Sequence, residues 1–258
     1  MNILEKIISH KRSEIGNHRF HFTMGQLREQ SQSRPAPPSF AEALCAAPIG
    51  LIAEVKHKSP SAGVIRDPFD PAAIAAEYEA AGAQCVSVLM DGEFFGGGEA
   101  HFEAVREQIK LPMLYKEFVV DPWQVWHAKK LGASAVLLIA AAMPETLLAG
   151  LMTEIRLAGL EVLFEVHNEE ELDTALKLDA PLIGINNRNL KTFETSLDTT
   201  LRLLPKVGKD IRVISESGIR TRGDVERLRD AGAAGILVGE QLLRQPDLQA
   251  AVHDLMGT

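Results

Sequence analysis

The feature that most constrains this chain is a rhythm: from residue 50 onward, short β-branched runs alternate with longer helical patterns, eight times in about 200 residues. Such alternation signals a parallel sheet built from βα units, because two parallel strands need a crossover, usually a helix, between them. The apolar runs predict strands at 51–56, 84–89, 112–117, 135–139, 161–166, 181–186, 211–215 and 235–239. Helical spacing predicts helices over 71–81, 100–110, 122–131, 145–158, 169–178 and 222–231, with a closing helix over 246–255. Several of these run into a glycine, at Gly82, Gly132, Gly159 and Gly232, where a left-handed cap feeds the chain into the next strand. Eight units fit a single closed (β/α)8 TIM barrel, an α/β fold, better than an open doubly wound sheet. No G-x-G-x-x-G follows the first strand, which removes the usual dinucleotide-binding alternative.

Residues 1–50 stand outside the repeat. Ile3, Leu4, Ile7, Ile8 and Ile15 recur at helical spacing, Arg34-Pro35-Ala36-Pro37-Pro38 reads as a stiff linker, and a short helix is expected over 40–44. We expect one domain over 1–258, with 1–50 a helical N-terminal extension covering one end of the barrel. Net charge is −8 at pH 7, which argues against sequence-independent binding to nucleic acid or an anionic membrane. Any phosphate must then be met by local geometry. Cys45 and Cys85 have no framework spacing, the N-terminus lacks a signal-peptide core, and no apolar run is long enough to span a bilayer. A cytoplasmic protein is expected, a monomer or weak homo-oligomer.

Chemistry in such a barrel belongs at the C-terminal ends of the strands. Residues two apart share a strand face, so Ile52, Glu54 and Lys56 point one way while Ala53 and Val55 point the other. By the same parity Lys116, Glu165, Asn186 and Glu216 end their strands on the face of an apolar neighbour, Leu114, Leu163, Gly184 and Ile214 respectively. Six polar groups would thus converge on one mouth. Crowding carboxylates and ammonium groups in a low dielectric is costly and shifts their pKa values, which makes proton donors and acceptors near neutral pH. Ser217-Gly218 after strand seven and Gly239-Glu240 after strand eight suggest a phosphate corner, with a short helix starting near Glu240.

Other features carry less. Gly96-Gly97-Gly98 lacks the rest of a P-loop and reads as a flexible loop; His18 and His21 lack partner ligands, so no metal site is expected. Trp123 and Trp126 read as packing, and His101, His127, His167 and His253 as histidines served by solvent or surface bonds.

Taken together these residues resemble the indole-3-glycerol phosphate synthase family. The matching pieces are Glu54-Val55-Lys56 with Ser59-Pro60-Ser61, Phe94-Phe95 with Gly97, Lys116-Glu117-Phe118, Phe164-Glu165-Val166-His167, Gly184-Ile185-Asn186-Asn187-Arg188-Asn189-Leu190, Ser215-Glu216-Ser217-Gly218-Ile219 and Leu237-Val238-Gly239. The resemblance implies a small phosphorylated substrate, 1-(2-carboxyphenylamino)-1-deoxyribulose 5-phosphate, closed to an indole with loss of carbon dioxide and water and with no cofactor. It implies Lys116 as the acid at the ribulose carbonyl, Glu165 as stabiliser of positive charge on the anilino nitrogen, and Glu54 with Lys56 as the pair for dehydration. Asn186 and Glu216 would hold hydroxyls and orient the lysines. Ser217, Gly218, Gly239 and Glu240, with Lys56, correspond to the phosphate cradle, and Ser59, Pro60, Phe118, Arg188 and Leu190 to the wall around the anthranilate.

The chain departs from the family pattern at Ala62, Met90, Gly98, Tyr115 and Glu117, all beside the catalytic set and none in it. Two other readings stay open. Phosphoribosylanthranilate isomerase would place a cysteine base where this chain has Glu54-x-Lys56, and a barrel that binds the ligand without turnover would give binding but no indole.

Overall fold

Parallel pairing runs all the way round the sheet in the computed structural model, which describes residues 2–190 and 192–258 and, within 18–21, the backbone alone. The barrel strands are β1 (Gly50–Val55), β2 (Cys85–Leu89), β3 (Met113–Lys116), β4 (Ala135–Ile139), β5 (Glu161–Val166), β6 (Leu182–Asn186), β7 (Arg212–Glu216) and β8 (Gly235–Val238). Each pairs with its neighbour in chain order, and β8 returns to β1 with Val238 opposite Ala53. All eight predicted strands are present, with ends shifted by at most one residue; Lys56 lies one residue beyond β1. His18 and His21 fall where side chains lie outside the described structure.

Alternation sorts the strand residues into two cores. Ile52, Leu114, Leu137, Leu163, Leu182, Ile214 and Leu237 fill the barrel interior. Ala53, Val55, Val86, Val136, Phe164 and Ile183 pack outward beneath the helices. The helices begin at side-chain caps the sequence supplies. Asp70 caps Pro71–Ala80, Asp121 closes a capping box on Pro122–Leu131, and Thr221 does so on Arg222–Asp230. Gly82, Gly132, Gly159 and Gly232 all take positive φ as expected. The sixth helix, Asp198–Leu203, follows a long polar segment and is absent from the predicted elements, although Leu197, Leu201 and Leu204 recur at helical spacing.

The N-terminal extension serves both ends of the barrel, where one was expected. Helix α3 (Phe40–Leu44), capped by Ser39, inserts Phe40 and Leu44 into the interior core from the bottom. The amides of Phe40 and Ala41 donate to the carboxylate of Glu161, the first residue of β5, at 2.7 and 2.8 Å. Helix α1 (Ile3–His21) instead reaches the opposite rim, where Ile3, Leu4 and Ile7 line the cavity described below. Its Lys11 is buried among Glu117 at 2.9 Å, Asp91 at 3.1 Å and Glu14 at 2.5 Å. Helix α2 (Met24–Gln32) packs Leu27 against Ile15 and Trp123, so Trp123 does serve packing.

The glycine-rich stretch after β2 is tied, not loose. A short helix Gly92–Phe95 precedes it, the Gly97 amide donates to the Asp91 carbonyl at 2.8 Å, and the Gly96 amide donates to the Gly92 carbonyl at 3.1 Å. Among the described residues no helix is long and apolar enough to cross a membrane.

Candidate active site

The C-terminal rim encloses a cavity of about 570 Å³, in the range that holds a drug-sized ligand. All six predicted strand-end groups border it: Glu54, Lys56, Lys116, Glu165, Asn186 and Glu216. The predicted wall residues Ser59, Pro60, Phe118, Arg188 and Leu190 and the predicted phosphate group Ser217, Gly218, Gly239 and Glu240 border it too.

Lys116 sits at the centre of the charges. Its Nζ lies 2.9 Å from Glu216 Oε2 and 3.6 Å from Glu54 Oε2, while Glu54 Oε1 accepts a hydrogen bond from Lys56. Burial opposes the Lys116 charge, yet Glu216, Glu54 and Glu165 outweigh burial and hold its pKa above that of an ordinary lysine. Burial likewise opposes ionisation of Glu54, but Lys56 and Lys116 bring it below the usual carboxylate value. Glu216 goes the other way. Only 1% exposed, it is pushed up to about 7 by burial and by Glu165 and Glu54, against the pull of Lys116.

Two glycines make room for these carboxylates. A Cβ on Gly184 of β6 would stand 2.1 Å from Glu216 Oε1, and one on Gly239 would stand 2.6 Å from Glu54 Oε1. Sequence reasoning read Gly239 for the phosphate and passed over Gly184. A glycine inside the apolar run Leu182-Ile183-Gly184-Ile185 was the available signal, since glycine there marks a close approach.

Glu165 on β5 lies buried in the rim, where His167, Lys116 and Asn186 act on it. Burial alone would neutralise it, but His167, Lys116 and Asn186 hold it down at about 2. His167 is therefore misread as a surface histidine: its side chain is 10% exposed, with Nε2 3.3 Å from Glu165 Oε1 and Nδ1 2.9 Å from Glu171 Oε2. His127 is also buried, between the Tyr115 hydroxyl at 3.2 Å and Glu99 at 3.1 Å. His167 lies just past the end of β5, where periodicity does not report depth, whereas His127 lies mid-helix on the face of Trp123, where helical spacing was an available signal.

The corner at β7 and β8 carries backbone geometry suited to an anion. Ser217 and Gly218 take successive left-handed conformations at φ 66 and 81, which turn consecutive amides toward one side. Asn187, unassigned a role in the sequence, holds this turn: its Nδ2 donates to the Ser217 carbonyl at 3.0 Å and to Ser215 Oγ at 2.9 Å, and its Oδ1 accepts from Thr200. After β8 a one-turn helix, Glu240–Leu243, begins at Gly239. The Glu240 carboxylate is engaged by Arg244 at 2.9 Å, so the group of Glu240 suited to an anion is its backbone amide. On the wall, Arg188 Nη1 donates to Ser61 Oγ at 2.7 Å, joining the loops after β6 and β1, and the rings of Phe95 and Phe118 lie 6.0 Å apart at a tilt of 38°.

A closed parallel barrel with two lysines and three carboxylates packed at its C-terminal rim defines a (β/α)8-barrel enzyme of the acid–base kind. Comparison with known proteins narrows that class. The family model for indole-3-glycerol phosphate synthase matches residues 4–255. The chain is 44% identical over 260 residues to indole-3-glycerol phosphate synthase of Aromatoleum aromaticum, covering 99% of both chains. It is 44% identical over 247 residues to the protein of that name from Acidithiobacillus ferrooxidans, covering 94% of each. The chain belongs to the indole-3-glycerol phosphate synthase family, carboxy-lyases of tryptophan biosynthesis. Solved structures share the fold alone: 3-hexulose-6-phosphate synthase of Salmonella typhimurium superposes with TM-score 0.66 at 11% identity, covering 81% of this chain and 97% of that one. A mutant tryptophan synthase α-subunit of Pyrococcus furiosus does so with TM-score 0.62 at 16% identity, covering 81% and 98%.

Proposed function

We propose that this cavity closes 1-(2-carboxyphenylamino)-1-deoxyribulose 5-phosphate to indole-3-glycerol phosphate through the residues just described. The observation that carries the assignment is the position of Lys116, an ammonium held charged between Glu216 and Glu54 at the floor of the cavity. As the ring carbon bearing the carboxylate attacks the ribulose carbonyl, negative charge grows on that oxygen. Lys116 lies where it can stabilise the charge and then release a proton to it. The same step leaves the anilino nitrogen positive, and the ionised Glu165 offsets that charge. Loss of carbon dioxide returns its bonding pair to the ring system, and the hydroxyl formed from the carbonyl then leaves as water. Glu54 and Lys56, already hydrogen-bonded to each other, are the groups to move the protons of that second stage. The ledger closes with one carbon dioxide and one water lost and no net redox change.

Phosphate is seated by Ser217, Gly218, Gly239 and the Glu240 amide with the charge of Lys56, and the anthranilate ring by Ser59, Pro60, Phe118, Arg188 and Leu190. Glu216 borders the cavity and orients Lys116 through Oε2, while its Oε1 is buried against Gly184 with no hydrogen-bond partner among the described residues. The whole chain is read as one domain, a cytoplasmic monomer or weak homo-oligomer. Incubation with the substrate should raise indole fluorescence, and Lys116→Ala should lower kcat by about 10²–10⁴-fold with binding largely retained. Loss of binding in parallel with loss of rate would contradict the role of Lys116.

A further inference from the structure

His167 immediately follows β5 and, two residues beyond Glu165, stands on the same side of the chain. Its two ring nitrogens face two different carboxylates: Nδ1 is hydrogen-bonded to Glu171 Oε2 at 2.9 Å, and Nε2 lies 3.3 Å from Glu165 Oε1 as a charge contact outside hydrogen-bond alignment. A neutral imidazole has one N–H and one lone pair, so it would turn a lone pair on one of these anions. The imidazolium alone serves both.

Glu171 is not free to turn away. It is the third residue of helix Glu169–Lys177, and its Oε2 also accepts the His167 backbone N–H at 2.8 Å. Its Oε1 accepts from Asn168 Nδ2 at 2.7 Å, and its own amide donates to Asn168 Oδ1 at 3.0 Å. The first turn of a helix favours a negative side chain at this position. Glu171, moreover, lies outside the cavity lining.

We propose that His167, fixed as an imidazolium by Glu171, is a positioning residue that keeps the Glu165 carboxylate ionised and turned toward the reacting nitrogen. The inference rests on the role given to Glu165 above. The groups that bear on His167 are Glu165 on its own strand and Glu171 on the following helix; Lys116, Asn186 and Glu216 act on it through Glu165. Electrostatics agree with the geometry. Burial disfavours the imidazolium, but Glu165 and Glu171 together raise the ring to about 10. The arrangement is carboxylate, histidine, carboxylate, with the histidine holding its working partner through charge and not through proton transfer.

The test uses the full-length enzyme. Imidazole nitrogen signals of His167 should report a doubly protonated ring from pH 6 to 8, and Glu171→Gln should bring its titration down into that interval. His167→Asn should lower kcat about tenfold to a hundredfold with KM within about twofold, as expected for a misplaced catalytic group. In the double variant with Glu165→Gln the further loss should vanish, because the histidine acts through that carboxylate. A neutral His167 at pH 7 would overturn the inference. So would a wild-type kcat in His167→Asn beside an inactive Glu165→Gln, which leaves the role of Glu165 intact. Glu165→Gln at the wild-type rate would instead remove that role and the inference with it. Should His167→Asn fail to fold, Glu171→Gln carries the same kinetic readout from outside the cavity.

Discussion

Gly184→Ala puts a methyl group where the structure has no room for one. The added Cβ would stand 2.1 Å from Glu216 Oε1 and 3.3 Å from Leu163 Cδ1, whereas real Cβ contacts essentially never fall below 3.0 Å. The Leu163 contact can ease by a few tenths of an ångström, but the carboxylate must retreat by about 1 Å in a close-packed interior. That retreat pulls Oε2 out of its 2.9 Å bond to Lys116. Misplacing a catalytic group by about 1 Å costs on the order of a hundredfold in rate, about 2.7 kcal/mol in the barrier. Stability should change less. Reduced freedom of the unfolded chain contributes about 0.4–1 kcal/mol in favour of alanine, set against about 1–3 kcal/mol for overpacking. We therefore expect kcat/KM to fall roughly a hundredfold, with a fall in melting temperature of only a few degrees. Indole fluorescence and thermal unfolding read the two. In a Glu216→Ala background the methyl group meets no carboxylate, so Gly184→Ala should add little further loss. Activity within about threefold of wild type, or an equal loss in both backgrounds, would refute the steric chain from Gly184 through Glu216 to Lys116.

Two further outcomes concern stability and pH. Glu216 is raised to about 7 in the fold, so the native state binds more protons than the unfolded chain between about 4.3 and 7 and stability falls across that window as pH rises. Glu216→Gln should gain stability relative to wild type at pH 8, by up to about 3 kcal/mol, and lose that advantage near pH 4.5, as read by urea unfolding at both pH values. Lys11→Ala strands Asp91 and Glu117 without their buried cation and should cost about 3–5 kcal/mol. The loss should be larger at pH 8 than at pH 5.5, because Glu117, pushed up to about 7 mainly by burial, can take up a proton in acid. Equal losses at the two pH values would contradict that reading.

Much of the barrel was legible because its signals are local and repeat. Apolar runs, side-chain caps and C-terminal glycines recur at each unit, and strand parity alone placed Glu54, Lys116, Glu165, Asn186 and Glu216 inward. What parity cannot report is distance between elements remote in the chain. Gly184 matters because of Glu216 on the next strand, and Lys11 because of Glu117, which follows the third strand. His167 looked like a surface histidine because the residue that fixes it, Glu171, belongs to the next helix and reads as ordinary first-turn acidity. The two-ended reach of the extension was hidden for a similar reason: Phe40 and Ile7 are both apolar, and only the path of the chain assigns one to the floor and the other to the rim.

The seam where β8 returns to β1 also divides the working parts of the site. Glu54 follows Ala53, Gly239 follows Val238, and those two preceding residues face each other across the seam. A chain with seven strands already carries both lysines, all three carboxylates and the Ser217-Gly218 turn, but it lacks Gly239, which leaves room for the Glu54 carboxylate, and the helix start beside it. The barrel closes only with its last strand, so a chain ending after the seventh is expected to yield no indole in the fluorescence assay.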